Sequence, residues 1–158
     1  MAVDFFLKIN GIEGESHDAK HKNEIDVLNW TWGEHQLGTA STGGGMGAGK
    51  VSMQDFQFTM TVSKASPKLL LACANGEHIK DATLVCRKAG KEQQEFMTIK
   101  FSDIMVSSFQ TGGHTEVPTD SISLNYSKIE YEYKPQKEDG TLDGPIKAGW
   151  DLKKNVKV

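Results

Sequence analysis

The 158-residue sequence predicts one mainly β domain, residues 1–158, folded as an antiparallel β-barrel or closed sandwich with one short helix and an extended glycine-rich loop. Three observations predict this fold class. Apolar and polar residues alternate with a period of two along most of the chain, one segment before Gly76 has helical features, and glycine is concentrated between Gly43 and Gly49. A domain of this length buries roughly 70% of its unfolded surface, enough for an ordinary hydrophobic core.

The strands are predicted from alternation. In "FQFTMTV", Phe56 to Val62, every second residue is apolar, as is typical of a strand with one buried face. We predict that "EIDVLNWTWGE", Glu24 to Glu34, is one strand whose two parities face the core and the outside. The residues expected to anchor the core are Leu28, Trp30, Trp32, Phe56 and Phe58.

Two long strands change parity part-way along their length. In "EFMTIKFSDIMVSS" the apolar parity shifts after Phe101, and in "SISLNYSKIEYEY" it shifts between Tyr126 and Ile129. Such shifts indicate β-bulges or sharp bends, which long strands need if a sheet is to curl into a barrel. Shorter strands are predicted at Val3–Gly11, Ala82–Lys88 and Lys147–Val156, and "KPQKEDGTLDGP" is a turn-rich connection before the last of them.

The single predicted helix runs from Pro67 to Asn75. Ser66 is its expected N-cap, Pro67 suits the first helical position because it lacks an N–H, and Gly76 is expected to end the helix.

Composition and charge exclude several classes of function. A formal net charge of −3 argues against general affinity for nucleic acid and for anionic lipid. The start "MAVDFFLKIN" lacks a basic residue before a long apolar run, so we expect no signal peptide there. The longest apolar run is too short to span a membrane, and we expect synthesis and folding in the cytosol. Cys73 and Cys86 lie in apolar stretches and are predicted to be buried, reduced thiols.

The glycine-rich segment contains the spacing G-x-x-x-x-G-K of a phosphate-binding loop, ending at Lys50. A nucleotide site also needs a leading apolar strand, a following helix and a Ser or Thr after the lysine. Here the leading segment "HQLGTAST" is polar, an alternating strand follows, and the next residue is Val51. We therefore predict no nucleotide site and interpret Gly38 to Lys50 as a long loop that a partner surface could order.

The remaining candidate sites are weak. His17 and His21 have the spacing of helical metal ligands, but "SHDAKH" shows no helical pattern, and a solvated loop is predicted. Neither a Cys–His pair nor a G-x-S-x-G elbow is present. The sequence thus predicts no catalytic residue, no metal and no cofactor. Trp30 and Trp32 could form a sugar-stacking platform, although a core role is favoured.

Eight blocks taken in order resemble one family. They are "MAVDFFLKINGIEGES", "EIDVLNWTWG", "GGGMGAGKV", "SPKLLLACANGEH", "RKAGKEQ", "VSSFQTGG", "YKPQKEDG" and "GWDLKKNVKV". Together they are similar to the haemolysin-coregulated protein family, Hcp, the exported tube component of bacterial type VI secretion systems, and the similarity extends over residues 1–158.

The resemblance implies a β-barrel with one helix that assembles into a homohexameric ring. Rings would stack into an inner tube inside a contractile sheath, capped by a trimeric spike protein and expelled on contraction, with small effector proteins held in the lumen. The implied protein is not an enzyme, binds no nucleic acid and does not insert into membranes. It would assemble in the bacterial cytoplasm and then be secreted without a cleaved signal peptide.

The implied assembly predicts roles for two sets of residues. If Trp30 and Trp32 face the core, Asn29 and Thr31 face outward, and we expect these two to line the lumen and contact effectors. The glycine-rich loop is expected to contact an adjacent subunit or the next ring, because a chain with few side chains can lie close to a neighbouring backbone. The residues of this predicted contact are Gly43, Gly44, Gly45, Met46, Gly47, Ala48, Gly49 and Lys50.

Two alternatives stay open at this point. One is a monomeric carbohydrate-binding β module that uses Trp30 and Trp32, and the other is a hydrolase that uses carboxylates.

Overall fold

The computed structural model describes residues 2–38, 50–90 and 92–158. Within these residues the chain forms one helix, α1 (Ala65–Asn75), and twelve strands, so the mainly β fold class is confirmed. In chain order the strands are β1 (Val3–Ile9), β2 (Ile25–Asp26), β3 (Asn29–Thr31), β4 (Glu34–His35), β5 (Ser52–Met53), β6 (Phe56–Thr61), β7 (His78–Lys88), β8 (Glu95–Gly112), β9 (Thr119–Asn125), β10 (Lys128–Tyr133), β11 (Ile146–Asp151) and β12 (Val156–Lys157).

Ten of these strands form one antiparallel sheet around the long strand β8. The main path runs β12-β11-β10-β8-β7-β1-β2, and a branch runs from β8 through β9 and β6 to β3. The first half of β8 pairs with β7 and β10, and its second half pairs with β9. Strands β4 and β5 form a separate two-stranded sheet.

The sheet is sandwich-like and does not close into the predicted barrel. Strand β2 pairs with β1, whereas β3 pairs with β6. The N–H of Val27 donates to the carbonyl oxygen of Phe5 at 3.0 Å, and the N–H of Leu28 donates to that of Thr59 at 2.8 Å. The chain therefore passes from one edge of the sheet to the other between Val27 and Leu28. The two edge strands at this crossing, β2 and β3, are not paired with each other in the described residues.

The two predicted parity changes are confirmed, and they lie next to each other in the sheet. Phe101 and Ile104 are both buried although they are three positions apart, and Asp103 between them has a φ of 56°. The same three-residue step separates buried Tyr126 from buried Ile129. Because Ile129 pairs with Phe101, the two steps lie side by side on neighbouring strands.

The predicted single strand from Glu24 to Glu34 is wrong, and so is Leu28 as a core anchor. Leu28 is 53% exposed, whereas Val27, assigned to the outer face, is buried. The reason is the crossing at Val27 and Leu28. Because of it, the next core-facing residue after Val27 is Trp30, three positions later, and not the second residue as in a regular strand. Beyond it, Trp30 and Trp32 are half-buried and pack against the core. The other two expected anchors, Phe56 and Phe58, lie at its centre.

Helix α1 ends at Asn75, as predicted, with Gly76 in the left-handed conformation at φ 66°. It begins at Ala65, two residues earlier than predicted, and its N-cap is Lys64. Ser66 lies inside the first turn, where its hydroxyl accepts from the N–H of Ser63 at 3.0 Å and donates to buried Asp120 at 2.5 Å. Since the first-turn N–H groups lack helical partners, Pro67 is tolerated there.

The chain between β1 and β2 covers the outer side of those strands. Buried Arg87 on β7 binds Asp18 of this segment at 2.6 Å and Asp4 at 3.2 Å. The hydrogen bond from Arg87 holds the pKa of Asp18 well below its usual range. The prediction of a solvated loop is wrong for His21, which is buried, with its Nδ1 3.0 Å from Glu24 and its Nε2 2.6 Å from Glu95.

Both cysteines are free. Cys86 is buried, and this burial raises its pKa to about 12, so it is an unreactive thiol. Cys73, on α1, is half-buried.

Candidate functional site: a neutral face on four strands

Four strands present uncharged polar side chains on one outer surface of the sheet. They are β3, β6, β9 and the second half of β8, and we call their outward residues the neutral face. Its members are Asn29, Thr31, Gln57, Thr59, Ser108, Gln110, Ser121 and Ser123.

The strand register arranges these residues in two rows that run across the four strands. In the first row Asn29 lies opposite Thr59, Thr59 opposite Ser121, and Ser121 opposite Gln110. In the second row Thr31, Gln57, Ser123 and Ser108 follow one another in the same way. Since neighbouring strands lie about 4.8 Å apart, the four members of a row lie close enough to act as one surface.

The alternation of each strand turns these residues outward. Trp30, Phe58 and Ile122 occupy the positions between them and point to the core, where Phe58 and Ile122 are buried. The neutral face is slightly concave, with a depression of about 260 Å³ lined by its eight members together with Phe58 and Ile122. An apolar core under a polar surface is the ordinary consequence of period-two patterning.

The electrostatics of the neutral face are set by the absence of ionisable groups among its eight members. Asp120 belongs to the same strand as Ser121 but points inward and bonds to Ser66. Asp55 lies beside the face and is held by Ser107 at 2.6 Å and by Asn125 at 2.9 Å.

Most of the hydrogen-bonding capacity of the face is available to another molecule. Ser108 donates to Ser123 at 2.8 Å. Within the described residues, the side-chain amides of Asn29, Gln57 and Gln110 have no protein partner. Each amide can donate and accept at the same time, so the surface offers both kinds of group.

The structure thus brings Asn29 and Thr31 together with six residues that the sequence reasoning missed. A signal for them was present, because the outward parity of "FQFTMT" and of "SISLN" consists only of Gln, Thr, Ser and Asn. Which strands lie beside β3, however, is visible only in the fold.

The structure describes one residue of the predicted contact, Lys50. Lys50 is exposed, and it precedes β5. Gly43, Gly44, Gly45, Met46, Gly47, Ala48 and Gly49 lie outside the described residues.

Other kinds of site find little support in the described part of the chain. Among residues 2–38, 50–90 and 92–158, no group of three or more His, Cys, Asp or Glu side chains is placed to hold a metal ion. The same residues include no helix with the length and apolar character that crossing a membrane requires. Trp30 packs edge-on against Phe5 at 6.1 Å, and the indole N–H of Trp32 donates to Tyr126, an arrangement that suits core anchors better than a sugar platform.

Comparison with known proteins gives a consistent result. The model of a family described as "Type VI secretion system effector, Hcp" matches residues 6–133. The chain is 46% identical to protein Hcp1 of Pseudomonas aeruginosa, over the full length of both. The chain belongs to the Hcp family.

Solved Hcp structures agree with this assignment. The crystal structure of Hcp1 from Salmonella typhimurium has a TM-score of 0.83 at 37% identity and covers 100% of both chains. A structure titled as a type six secretion system protein has a TM-score of 0.93 at 32% identity, covering 99% of this chain and 100% of the other. The protein is therefore a type VI secretion protein of the Hcp fold, and the region matching the Hcp family model includes all four strands of the neutral face.

Proposed function

We propose that the protein is a structural, non-catalytic component of the type VI secretion system that forms homohexameric rings. The rings stack into the inner tube, which is expelled together with the spike, and the lumen of the tube carries effector proteins. Family membership supports the assembly, and the neutral face supports the carrier role. The neutral face is the observation that carries this proposal.

The chemistry of the neutral face suits a carrier that must both hold and release its cargo. A charged lumen would select cargo by charge and bind it strongly at low salt. Neutral hydrogen bonds each contribute only about 0.5–1.5 kcal/mol, because they replace bonds to water. Six copies around a ring repeat the same groups, so several weak contacts act together on one cargo molecule.

The assembly uses surfaces away from the neutral face. A closed ring needs two different patches on each subunit, and stacking needs an upper and a lower surface. The loop Gly43 to Lys50 is proposed to contact an adjacent subunit or the next ring. The sheath and the spike are the other protein partners, and the protein neither binds nucleic acid nor inserts into membranes.

The decisive test compares two substitutions of Thr by Lys. Thr31→Lys places a charge on the neutral face, while Thr98→Lys places one on β8 next to Glu132, outside that face. We expect both variants to form rings by native mass spectrometry. Cargo co-purification should fall several-fold for Thr31→Lys alone and become sensitive to salt, because the new charge is exposed.

Two results would contradict the proposal. A wild-type protein that stays monomeric at working concentration would exclude the ring. Equal cargo retention by wild type and Thr31→Lys would remove the neutral face as the cargo surface, even with rings intact. Secretion is tested separately by looking for the protein in the medium of cells with and without a working type VI system.

A further inference from the structure

A short two-stranded extension lies apart from the main sheet. Glu34 pairs with Met53 and His35 with Ser52, and we call this pair of strands the arm. The arm leads to the glycine-rich segment, so its direction sets where that segment begins. Its root consists of Trp32 and Gly33 before β4 and Gln54 after β5.

One hydroxyl group joins both sides of this root to the body of the protein. The indole N–H of Trp32 donates to the hydroxyl of Tyr126, and that hydroxyl donates to the carbonyl oxygen of Gln54 at 2.7 Å. The N–H of Gln54 in turn donates to the carbonyl oxygen of Gly33 at 2.9 Å. Tyr126 thus receives one bond from the strand entering the arm and gives one to the strand leaving it.

Tyr126 is well placed to act as a fixed point. It is 5% exposed and lies between β9 and β10. Its ring packs on Phe101, with the ring centroids 4.8 Å apart. Burial raises the pKa of Tyr126 to about 12, so the hydroxyl keeps the proton that it donates to Gln54.

The arm root is separated from the neighbouring part of the sheet by an open groove of about 540 Å³. Trp32 and Met53 line one side, and Tyr131, Ala148 and Trp150 of β10 and β11 line the other. A groove of this size leaves space beside the root. Trp32 and Met53 pack against the core, and the hydrogen bonds through Tyr126 tie both sides of the root to one point on the body.

We propose that Tyr126 is a positioning residue: its hydroxyl fixes the direction of the arm, and thereby the contact that the arm makes with another copy in the stacked tube. This inference rests on the proposed function for the assembly. The orientation of the arm relative to the body is an independent property of the subunit, and it can be measured without any assembly.

The substitution Tyr126→Phe isolates the hydroxyl. The ring that packs on Phe101 stays, while the N–H of Trp32 loses its acceptor and the carbonyl of Gln54 loses its donor. Tyr133→Phe is the matched control, because it removes a hydroxyl from a 43% exposed tyrosine on β10. A second variant, Trp32→Phe, removes the first bond from the opposite side and gives an independent test if Tyr126→Phe folds poorly.

Three measurements on each variant distinguish a role of Tyr126 in fixing the arm from a general role in the stability of the fold. Ring formation is followed by native mass spectrometry, tube formation by electron microscopy, and opening of the arm by hydrogen exchange at the Gln54 amide. We expect Tyr126→Phe to form rings like wild type, to exchange the Gln54 amide about five- to tenfold faster, and to stack into tubes about five- to tenfold less well. Tyr133→Phe should match wild type in all three.

The outcomes are distinguishable. Wild-type exchange at Gln54 in Tyr126→Phe overturns the inference, and so does faster exchange with undiminished tubes. Loss of rings together with tubes also overturns it, since that would indicate general destabilisation. If the wild-type protein itself forms neither rings nor tubes, the proposed function fails, and the Gln54 exchange alone decides whether Tyr126 fixes the arm.

Discussion

The neutral face and the opposite half of the same sheet differ in charge although they share strand β8. The outer side of the first half of β8, with β10 and β11, is the charged face, and its members are Lys100, Lys128, Glu130, Glu132, Lys147 and Asp151. Lys147 lies 3.7 Å from Glu132 across two strands. Such an exposed pair contributes little to stability.

The neutral face needs a different explanation. A sheet pairs equally well with charged or uncharged side chains in its outward positions, as the charged face demonstrates. Eight neighbouring outward positions without an ionisable group are therefore not required by the fold. The proposed contact with cargo accounts for the uncharged composition of the neutral face.

The largest expected effect comes from a substitution in the core that lies under both faces. Phe101 is fully buried, and its ring centroid lies 4.8 Å from those of Phe56 and Tyr126. We expect Phe101→Ala to lower the free energy of unfolding by about 3–5 kcal/mol, because it leaves a cavity. Urea denaturation measures this loss. If the measured loss in free energy of unfolding is as small as that for a substitution at an exposed position, the two faces do not share one core.

A second change acts on the charged face alone. A Cβ at Gly149 would lie 2.9 Å from the carbonyl oxygen of Ile129 and 3.1 Å from the Cβ of Val158. We expect Gly149→Ala to cost about 1–3 kcal/mol by thermal or urea denaturation, through overpacking where β12 joins β11. Cargo co-purification per folded ring should not change. Gly112→Ala is the control, since nothing lies within 4 Å of a Cβ there.

The smallest expected effect is on the pH dependence of folding stability. Because Arg87 lowers the pKa of Asp18, the ionised carboxylate stabilises the fold above its ordinary pKa, and this stabilisation is lost as the pH falls toward the lowered value. Asp18→Asn should reduce stability at neutral pH and flatten the acid side of the stability curve. Glu116→Gln is the matched control, because it removes one exposed carboxylate that takes no part in the ion pairs of Arg87.

The contrary result would be a stability curve for Asp18→Asn that keeps the same acid slope as wild type. That outcome would show that the ion pair with Arg87 does not stabilise the segment between β1 and β2. The neutral face has no ionisable member, so its cargo binding should not follow this titration.

Local patterning explains what could be predicted. The buried positions Phe56 and Phe58, the end of α1 at Asn75 and the shifts near Phe101 and Tyr126 depend on neighbours in sequence. Leu28 was misplaced because the crossing at Val27 changes the pairing partner, and no nearby residue signals such a change. His21 was misplaced for a similar reason, since Glu95, which contacts it, is 74 residues away.

Residue types at short spacing account for the strand alternation, the helix, the lack of a nucleotide-loop context and the resemblance to one family, because backbone geometry translates such patterns directly into structure. The fold places Asn29 and Thr31 on one face with residues of β6, β8 and β9, and it lets Tyr126 join both sides of the arm. Those contacts join residues far apart in the chain, and they depend on which strands become neighbours.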